Sequence, residues 1–206
     1  MKKILCYGDS NTFGFVPEDG SRFDADARWT GVLQKILGRD YLIIEEGACD
    51  RTGFVHNPKG DLYSAQNHFP VLMSKNMDID ILILAIGSND MQFQYNIDFS
   101  TVEKGLENLI KTAKIKTDNI ILIPPVILDN NVLNGGFSFQ FDKTSIKKSQ
   151  KVGDIYKKIA QIFDCLVFDI NEFVRPSNID GLHYDRKSHS LVAKNLAEII
   201  HTGFVD

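Results

Sequence analysis

One serine, one histidine and one aspartate in this sequence have the types and positions that nucleophilic catalysis requires. Ser10 follows a short apolar run at the start of the chain, and Asp180 lies three residues before His183 near the other end. A serine hydroxyl is a weak nucleophile unless a neighbouring base takes its proton. His183 is the candidate base, and Asp180 could hydrogen-bond the ring nitrogen that faces away from Ser10. Glu198 and His201 have the same spacing, but they fall within a predicted terminal helix.

Acyl transfer also needs hydrogen-bond donors for the negative charge that develops on the carbonyl oxygen. The candidate donors are the backbone N–H groups of Gly47 and Ser10 and the side-chain N–H₂ of Asn89. Each residue also has an ordinary structural explanation. Ser is a common helix N-cap, Asn and Asp favour turns, and Gly permits unusual backbone angles. Asp180 and His183 could likewise be a turn residue and a surface histidine. Chemistry is favoured because all of these residues follow predicted strands.

The elements that must position these residues alternate between strand and helix. Continuous apolar runs predict strands over 3–7, 41–44, 81–86, 120–123 and 166–168. Apolar residues at helical spacing predict helices over 29–37, 63–77, 102–113, 142–164 and 191–200. This alternation predicts a doubly wound α/β sheet, in which sites lie beyond the carboxyl ends of the strands. Residues 126–141, the longest irregular stretch, are either a functional rim or a plain surface loop.

The composition is typical of a soluble globular protein. The 206 residues include 23 Lys and Arg against 27 Asp and Glu, a net charge of −4, and 43% are hydrophobic. These values argue against disorder, and a pI near 5.7 argues against a nucleic-acid partner. The length predicts a single domain over 1–206. No apolar segment approaches the roughly 20 residues of a membrane helix, which predicts no integral membrane association.

The cysteines and the N-terminus indicate a cytoplasmic protein. Cys6, Cys49 and Cys165 are an odd, dispersed set without zinc-ligand spacing, so we expect neither a disulfide framework nor a metal site. The apolar run over 4–7 is shorter than the core of a secretory signal peptide.

Four segments together resemble the blocks of the SGNH hydrolase family, also called GDSL esterases and lipases. They occur in the family's order and span nearly the whole chain: Gly8-Asp9-Ser10, Gly47, Gly87-Ser88-Asn89-Asp90 and Asp180-Gly181-Leu182-His183. The resemblance implies a flavodoxin-like three-layer α/β/α sandwich with a five-stranded parallel sheet. It also implies hydrolysis of ester bonds in small-molecule substrates, without a cofactor.

The resemblance implies a role for each matched residue. Ser10 would be the nucleophile, His183 the base and Asp180 its orienting acid. Ser10, Gly47 and Asn89 would form the oxyanion hole. The remaining matched positions are structural or supporting in the family, and here they are Asp9 and Asp90.

A finer resemblance links the chain to the arylesterase and acyltransferase-like branch. It is carried by residues 8–14 and by Arg28-Trp29. It implies small acyl groups, leaves a homo-oligomer open, and puts Trp29 near the acyl pocket. The alternative for Trp29 is a core aromatic at the start of a helix.

The second block departs from the family pattern, in which Gly47 would be flanked by Asn and Gly. Here Glu45, Glu46 and Asp50 surround it. We expect these acids to disfavour anionic substrates. Cys49 would lie near the mouth of the pocket, without a base to activate it.

The leading hypothesis is a serine esterase that works through an acyl-enzyme. A carbohydrate O-deacetylase or an acyltransferase would use the same residues. A flavin-binding module is a more distant alternative, in which residues 10–14 would hold a phosphate. A partner-binding scaffold without activity is a fourth alternative, and its only positive feature is a basic helix. The lysines of that helix are Lys143, Lys147, Lys148, Lys151, Lys157 and Lys158.

Overall fold

Five parallel strands form the centre of the protein. The computed structural model describes residues 1–75 and 78–204. Its strands are β1 (Lys2–Gly8), β2 (Tyr41–Gly47), β3 (Ile81–Ala85), β4 (Ile120–Ile123) and β5 (Leu166–Val167). They lie in the order β2-β1-β3-β4-β5, and every neighbouring pair is parallel. The expected α/β sandwich with a five-stranded parallel sheet is therefore confirmed.

Six α-helices connect and flank these strands in the described residues. They are α1 (Ser10–Phe13), α2 (Trp29–Leu37), α3 (Ala65–Ser74), α4 (Phe99–Ala113), α5 (Lys143–Phe163) and α6 (Arg186–Gly203). Short 3-10 turns cover Gly38–Asp40, Asp61–Tyr63, Asn89–Met91, Phe93–Tyr95, Asn130–Leu133 and Ile170–Glu172. No helix in this part of the chain is both long and apolar enough to cross a membrane.

The helix predicted over 63–77 is shorter in the structure. It begins at Ala65 and ends at Ser74, because Lys75 has extended backbone angles. The last two residues of the predicted helix, 76 and 77, lie outside the described residues. The helix predicted over 142–164 begins after Asp142, whose carboxylate accepts the N–H groups of Thr144 and Ser145.

Alternate side chains of the central strands enter two separate cores, one on each face of the sheet. Leu5 and Tyr7 of β1 pack with residues of α3, α4 and α5. Ile4 and Cys6 of β1 pack with residues of α2 and α6. Burial on both faces explains why the strands are continuous apolar runs rather than alternating ones. It also fixes the register, because a slip of one residue would exchange the two faces.

Helix α1 begins directly after β1 and is a single turn. One oxygen of the Asp9 carboxylate accepts the N–H of Asn11 at 3.1 Å, and the other accepts the N–H of Ser88 at 3.3 Å. Gly14 ends the helix with a φ of 87°. Asp9 therefore holds the turn after β1 against the segment after β3.

Helix α1 lies on the carboxyl end of β2, and the close approach requires glycine there. A Cβ atom at Gly47 would lie 2.2 Å from the backbone nitrogen of Phe13 and 2.6 Å from the carbonyl carbon of Thr12. Both are backbone atoms, so neither can move aside as the end of a flexible side chain can.

The carboxylate of Asp90 joins the segment after β3 to the segment after β2. One oxygen accepts the N–H of Gly53 at 2.6 Å, and the other accepts those of Phe54 at 2.7 Å and Val55 at 3.1 Å. Asp90 is fully buried. Burial raises its pKa to about 6, against the lowering effect of these three N–H groups.

Substitution of two glycines tests the contact between α1 and β2. Gly47→Ala should lower the free energy of unfolding by about 1–3 kcal/mol, as overpacking typically does. The matched control is Gly153→Ala in α5, where an added Cβ has no neighbour within 4 Å. The control should raise the free energy of unfolding by about 0.5–1 kcal/mol. Urea unfolding measures both, and a Gly47→Ala variant as stable as the wild type would contradict the close approach.

The raised pKa of Asp90 predicts a pH dependence of stability. The folded chain binds the Asp90 proton more tightly than the unfolded chain, in which the pKa is about 4. The contribution of Asp90 to the free energy of unfolding is therefore largest at low pH and falls as the pH rises from about 4 through about 6. Asp90→Asn removes this titration. Urea unfolding across that range should show the wild type losing stability relative to the variant, and a constant difference between them would refute the shift.

Candidate active site

The structure brings Ser10, His183 and Asp180 into one hydrogen-bonded chain. The Nε2 atom of His183 lies 2.8 Å from Ser10 Oγ, and its Nδ1 atom lies 2.6 Å from Asp180 Oδ2. All three residues are at most 5% exposed. An ionised carboxylate only accepts hydrogen bonds, so Nδ1 carries a proton and Nε2 is free to accept the Ser10 hydroxyl. The geometry thus gives a hydroxyl, a base directed at it and an acid that fixes the ring.

Asp180 is ionised in this arrangement. Burial alone would raise the pKa of Asp180. Hydrogen bonds from the His183 ring and from the backbone of Leu182 and His183 outweigh burial, so the pKa lies below its usual value. The two backbone N–H groups lie 2.9 and 3.0 Å from Asp180 Oδ1. The carboxylate therefore stays negative and can stabilise a positive imidazolium.

Asn11 connects helix α1 to the segment that carries His183. Its side-chain oxygen accepts the N–H of Tyr184 at 2.9 Å, and its amide nitrogen donates to the carbonyl of Leu182 at 3.4 Å. The two bonded residues, Leu182 and Tyr184, directly precede and follow His183 in sequence. They explain how residues 173 positions apart keep hydrogen-bond distance between Ser10 and His183.

The irregular stretch 126–141 packs against the same segment. The carbonyl of Gly181 accepts the N–H of Asp129 at 3.0 Å. A Cβ at Gly181, whose φ is 69°, would lie 2.4 Å from the backbone nitrogen of Val132. The stretch is therefore part of the site's framework rather than a plain surface loop.

Two phenylalanines that the sequence did not single out pack on His183. The ring of Phe15 stacks on it with centroids 4.2 Å apart, and that of Phe137 lies 5.2 Å away. Phe15 follows α1, and Phe137 belongs to the stretch 126–141. The only sequence signal for Phe137 was the concentration of phenylalanines in that stretch. Both rings shield the imidazole from water on the sides they cover.

Two of the three expected hydrogen-bond donors have a free N–H in the structure. The backbone N–H of Ser10 has no acceptor among the described residues. The side-chain nitrogen of Asn89 donates one proton to the carbonyl of Arg51 at 3.0 Å, which leaves its second proton unused.

A third free donor comes from Asp50 rather than from Gly47. In residues 48–55, the N–H groups donate to the carbonyls of Gly8, Ala48 and Tyr63 or to the Asp90 carboxylate. Among the described residues, the N–H groups of Cys49 and Asp50 are the two in this segment that donate to no acceptor, and that of Asp50 lies in a turn with a positive φ. A backbone N–H that the fold leaves unpaired is available to a ligand.

The turn at Asp50 has unusual backbone geometry. Its φ is 62°, in the left-handed region that costs about 1–3 kcal/mol for a residue other than glycine. The side chain of Asn57 donates to the Asp50 carbonyl at 2.7 Å, and Lys59 forms an ion pair with the Asp50 carboxylate at 2.5 Å. These contacts hold the strained turn.

The structure does not support the expected donor role of Gly47. In a parallel ladder, alternate residues direct both backbone groups to the same neighbour. The N–H of Ala48 bonds the Gly8 carbonyl on β1, so the N–H of Gly47 points to the opposite side, away from β1. Because Ser10 follows β1, the Gly47 N–H points away from Ser10 as well. What Gly47 provides is the close contact with α1.

Trp29 lies in the core rather than at an acyl pocket. It is 1% exposed, and its indole N–H donates to the carbonyl of Asn11 at 3.1 Å. The cavity beside it has a volume of about 10 Å³, room for no more than a water molecule. The structure therefore fits the interpretation of Trp29 as a core residue. Its indole N–H contacts helix α1 through the Asn11 carbonyl.

Two of the three acids around Gly47, Glu45 and Asp50, are paired with cations in the structure. Glu45 forms ion pairs with Arg22 at 2.9 Å and Arg28 at 2.8 Å, and it accepts a hydrogen bond from Thr30. Burial acts to raise the pKa of Glu45, but these partners hold it below its usual value. Asp50 is paired with Lys59. These two carboxylates therefore add less negative charge beside Gly47 than the sequence predicts.

The geometry gives no support to a phosphate site at residues 10–14. The N–H groups of Asn11, Thr12 and Phe13 all donate to Asp9, through its carboxylate or its carbonyl. That leaves one free N–H beside a buried carboxylate, which is a poor environment for a phosphate.

The remaining polar features expected from the sequence lie apart from this chemistry. Burial, and then the charge of Asp50, raise the pKa of Cys49 to about 11, so its thiol is protonated at neutral pH. On the basic helix, Lys157 pairs with Asp169 and Lys158 with Glu103. Within residues 1–75 and 78–204, no cluster of His, Cys, Asp and Glu side chains is placed to hold a metal ion.

Comparisons with known proteins identify the family and agree with the fold. The model of the GDSL-like lipase/acylhydrolase family matches residues 6–201. The solved structure of the native aryl esterase of M. smegmatis has a TM-score of 0.89 at 25% identity, over 98% of this chain and 99% of that one. A carbohydrate acetylesterase family member from Sinorhizobium meliloti has a TM-score of 0.88 at 27% identity, over 98% of both chains. No curated protein matches the sequence.

The family match covers nearly the whole chain, and it includes every segment that the structure brings to the strand ends. The chain therefore belongs to the GDSL-like lipase/acylhydrolase family and is an ester hydrolase.

Proposed function

We propose that the protein is a serine esterase that cleaves short-chain carboxylic esters through an acyl-enzyme. The observation that carries the proposal is the buried chain from Ser10 through His183 to Asp180, with bonds of 2.8 and 2.6 Å. This arrangement meets the requirements of nucleophile, base and orienting acid at once.

The first half of the reaction forms the acyl-enzyme. His183 Nε2 takes the proton of Ser10 as Oγ attacks the ester carbonyl, and the carbonyl oxygen becomes negative. The N–H groups of Ser10 and Asp50 and the free side-chain proton of Asn89 bind this oxygen. His183 then gives its proton to the departing alcohol, and the acyl group remains on Ser10.

The second half regenerates the enzyme. Water loses a proton to His183 as it attacks the acyl-serine, and Ser10 leaves with the proton returned by His183. Asp180 remains ionised throughout and stabilises the imidazolium in both halves. The buried carboxylates Asp9 and Asp90 keep the donor segments in place but exchange no proton with the substrate.

A second candidate function differs in the substrate or the acceptor. The acetylesterase neighbour makes an O-acetylated carbohydrate a reasonable substrate class. The cover of Phe15 and Phe137 over His183 favours transfer of the acyl group to an alcohol, because it limits the access of water.

A panel of esters separates these candidates. p-Nitrophenyl esters of increasing acyl length should show turnover that is highest for acetate and falls for longer chains. Acetylated sugars should compete with p-nitrophenyl acetate only if the protein is a carbohydrate deacetylase. Added alcohol should yield the transferred ester in an acyltransferase, as measured by gas chromatography. Near-zero turnover across the panel would overturn the proposal.

Free cysteines support a reducing compartment. Cys6, Cys49 and Cys165 are all unpaired thiols in the structure. We infer on this ground that the protein works in the cytoplasm.

Three substitutions test the assigned roles. Ser10→Ala and His183→Ala should each lower kcat for p-nitrophenyl acetate by at least about 10³-fold, as loss of a triad member does. Asn89→Ala should lower kcat by about 10²–10³-fold, the usual effect of losing one oxyanion donor. Steady-state kinetics and circular dichroism of each variant measure activity and folding. Ser10→Ala with wild-type turnover would overturn the serine mechanism.

Covalent labelling gives an independent check of the nucleophile. An organophosphate should add one adduct to the wild type, located at Ser10 by peptide mass spectrometry, and none to Ser10→Ala. The variant Ser88→Ala is a matched control, because Ser88 is also a buried serine next to Asp9, whereas the His183 ring is hydrogen-bonded to Ser10. It should be labelled like the wild type.

A further inference from the structure

The carboxamide of Asn89 can face the proposed oxyanion in two ways. The oxygen and nitrogen of an asparagine side chain have almost the same size, so only their hydrogen-bond partners decide which atom lies where. One orientation directs an N–H at the oxyanion. The other directs the carbonyl oxygen at it, which repels the developing negative charge.

Gln92 provides a partner that distinguishes the two orientations. Its side-chain nitrogen donates to Asn89 Oδ1 at 3.1 Å, opposite the bond from Asn89 Nδ2 to the carbonyl of Arg51. The Gln92 side chain is buried, with 3% exposure, and its backbone N–H also donates to the Asn89 carbonyl at 3.2 Å. If Asn89 turned over, two donors would face each other at Gln92 and two acceptors at Arg51.

Gln92 has a second amide neighbour, Gln94. The side-chain nitrogen of Gln94 donates to Gln92 Oε1 at 2.8 Å, which matches an arrangement in which the nitrogen of Gln92 faces Asn89. The fixed end of the chain is the Arg51 carbonyl, which can only accept. The donors therefore run in one direction, from Gln94 through Gln92 and Asn89 to the Arg51 carbonyl. Hydrogen bonds in such a chain polarise one another, which strengthens the N–H of Asn89 as a donor.

We propose that Gln92 is a positioning residue for the reaction, which holds the Asn89 carboxamide with its N–H₂ directed at the oxyanion. The inference rests on the proposed function, because it gives Gln92 a role only through the oxyanion that Asn89 binds. Gln92 does not touch the reacting atoms.

The substitution Gln92→Glu converts this role into a pH dependence. When the introduced carboxyl group is protonated, it still donates to Asn89 Oδ1, whereas the ionised carboxylate accepts hydrogen bonds and favours the reversed Asn89. The ratio of kcat between variant and wild type should be near one at about pH 5 and fall about 10- to 100-fold by about pH 8, with little change in KM. Gln34→Glu is the matched control, since the side-chain nitrogen of Gln34 also donates to backbone carbonyls, those of Gly38 and Tyr41, but at the end of β2 away from Asn89. Its ratio should be independent of pH.

Two further variants cover the case in which Gln92→Glu does not fold. Gln92→Met should lower kcat about tenfold at every pH, because it removes the donor without adding a charge. Gln94→Met alters an exposed residue and should lower kcat by a smaller factor. In an Asn89→Ala background, neither change should lower kcat further, because residues that act through one another are not additive.

The outcomes separate this inference from the proposed function. A pH-independent ratio for a folded Gln92→Glu, or full additivity of Gln92→Met with Asn89→Ala, would overturn the positioning role. If Ser10→Ala still abolishes turnover in that case, the serine mechanism stands and only the role of Gln92 fails. Wild-type turnover in Ser10→Ala would instead remove the proposed function and the inference together.

Discussion

Two buried carboxylates, each bonded to the backbone of another segment, hold the strand ends of this protein together. Asp9 binds the N–H of Ser88, and Asp90 binds three consecutive N–H groups, those of residues 53–55. A carboxylate without water must find such donors, since leaving it unpaired would be very costly. The requirement fixes the turns after β1, β2 and β3 relative to one another, and Ser10 and Asn89 lie directly beside these two carboxylates in sequence.

The hydrogen bonds of the fold also decide which donors remain free for the proposed oxyanion hole. Backbone N–H groups near the strand ends are almost all used by the fold, in ladders, turns or bonds to carboxylates. The N–H groups of Ser10 and Asp50 are left over within the described residues. Both are rigid because their flanking groups are bonded, which is what preorganised electrostatic stabilisation requires. The turn at Asp50 keeps its positive φ through the contacts of Asn57 and Lys59.

The strands and the residues proposed as nucleophile, base and acid were accessible from sequence because each has a local signal. Buried parallel strands are apolar runs, and polar residues that end them stand out. Asp50 had no such signal, because nothing in its side chain indicates a positive φ, and the nearby Gly47 was the more natural donor. The stacking of Phe15 and Phe137 on His183 depends on loop packing between distant parts of the chain, which no periodicity encodes.

The three proposed donors differ in how the fold controls them. A backbone N–H has its direction set by φ and ψ, so the turns that hold Ser10 and Asp50 also aim their donors. The Asn89 carboxamide can rotate by half a turn with almost no change in shape, and a reversed amide would oppose the reaction rather than merely fail to help it. A side-chain donor therefore needs an acceptor on one side and a donor on the other. The bonds to Arg51 and Gln92 meet that requirement. The buried glutamine therefore restricts the half-turn of the Asn89 carboxamide, a rotation that backbone N–H donors cannot make.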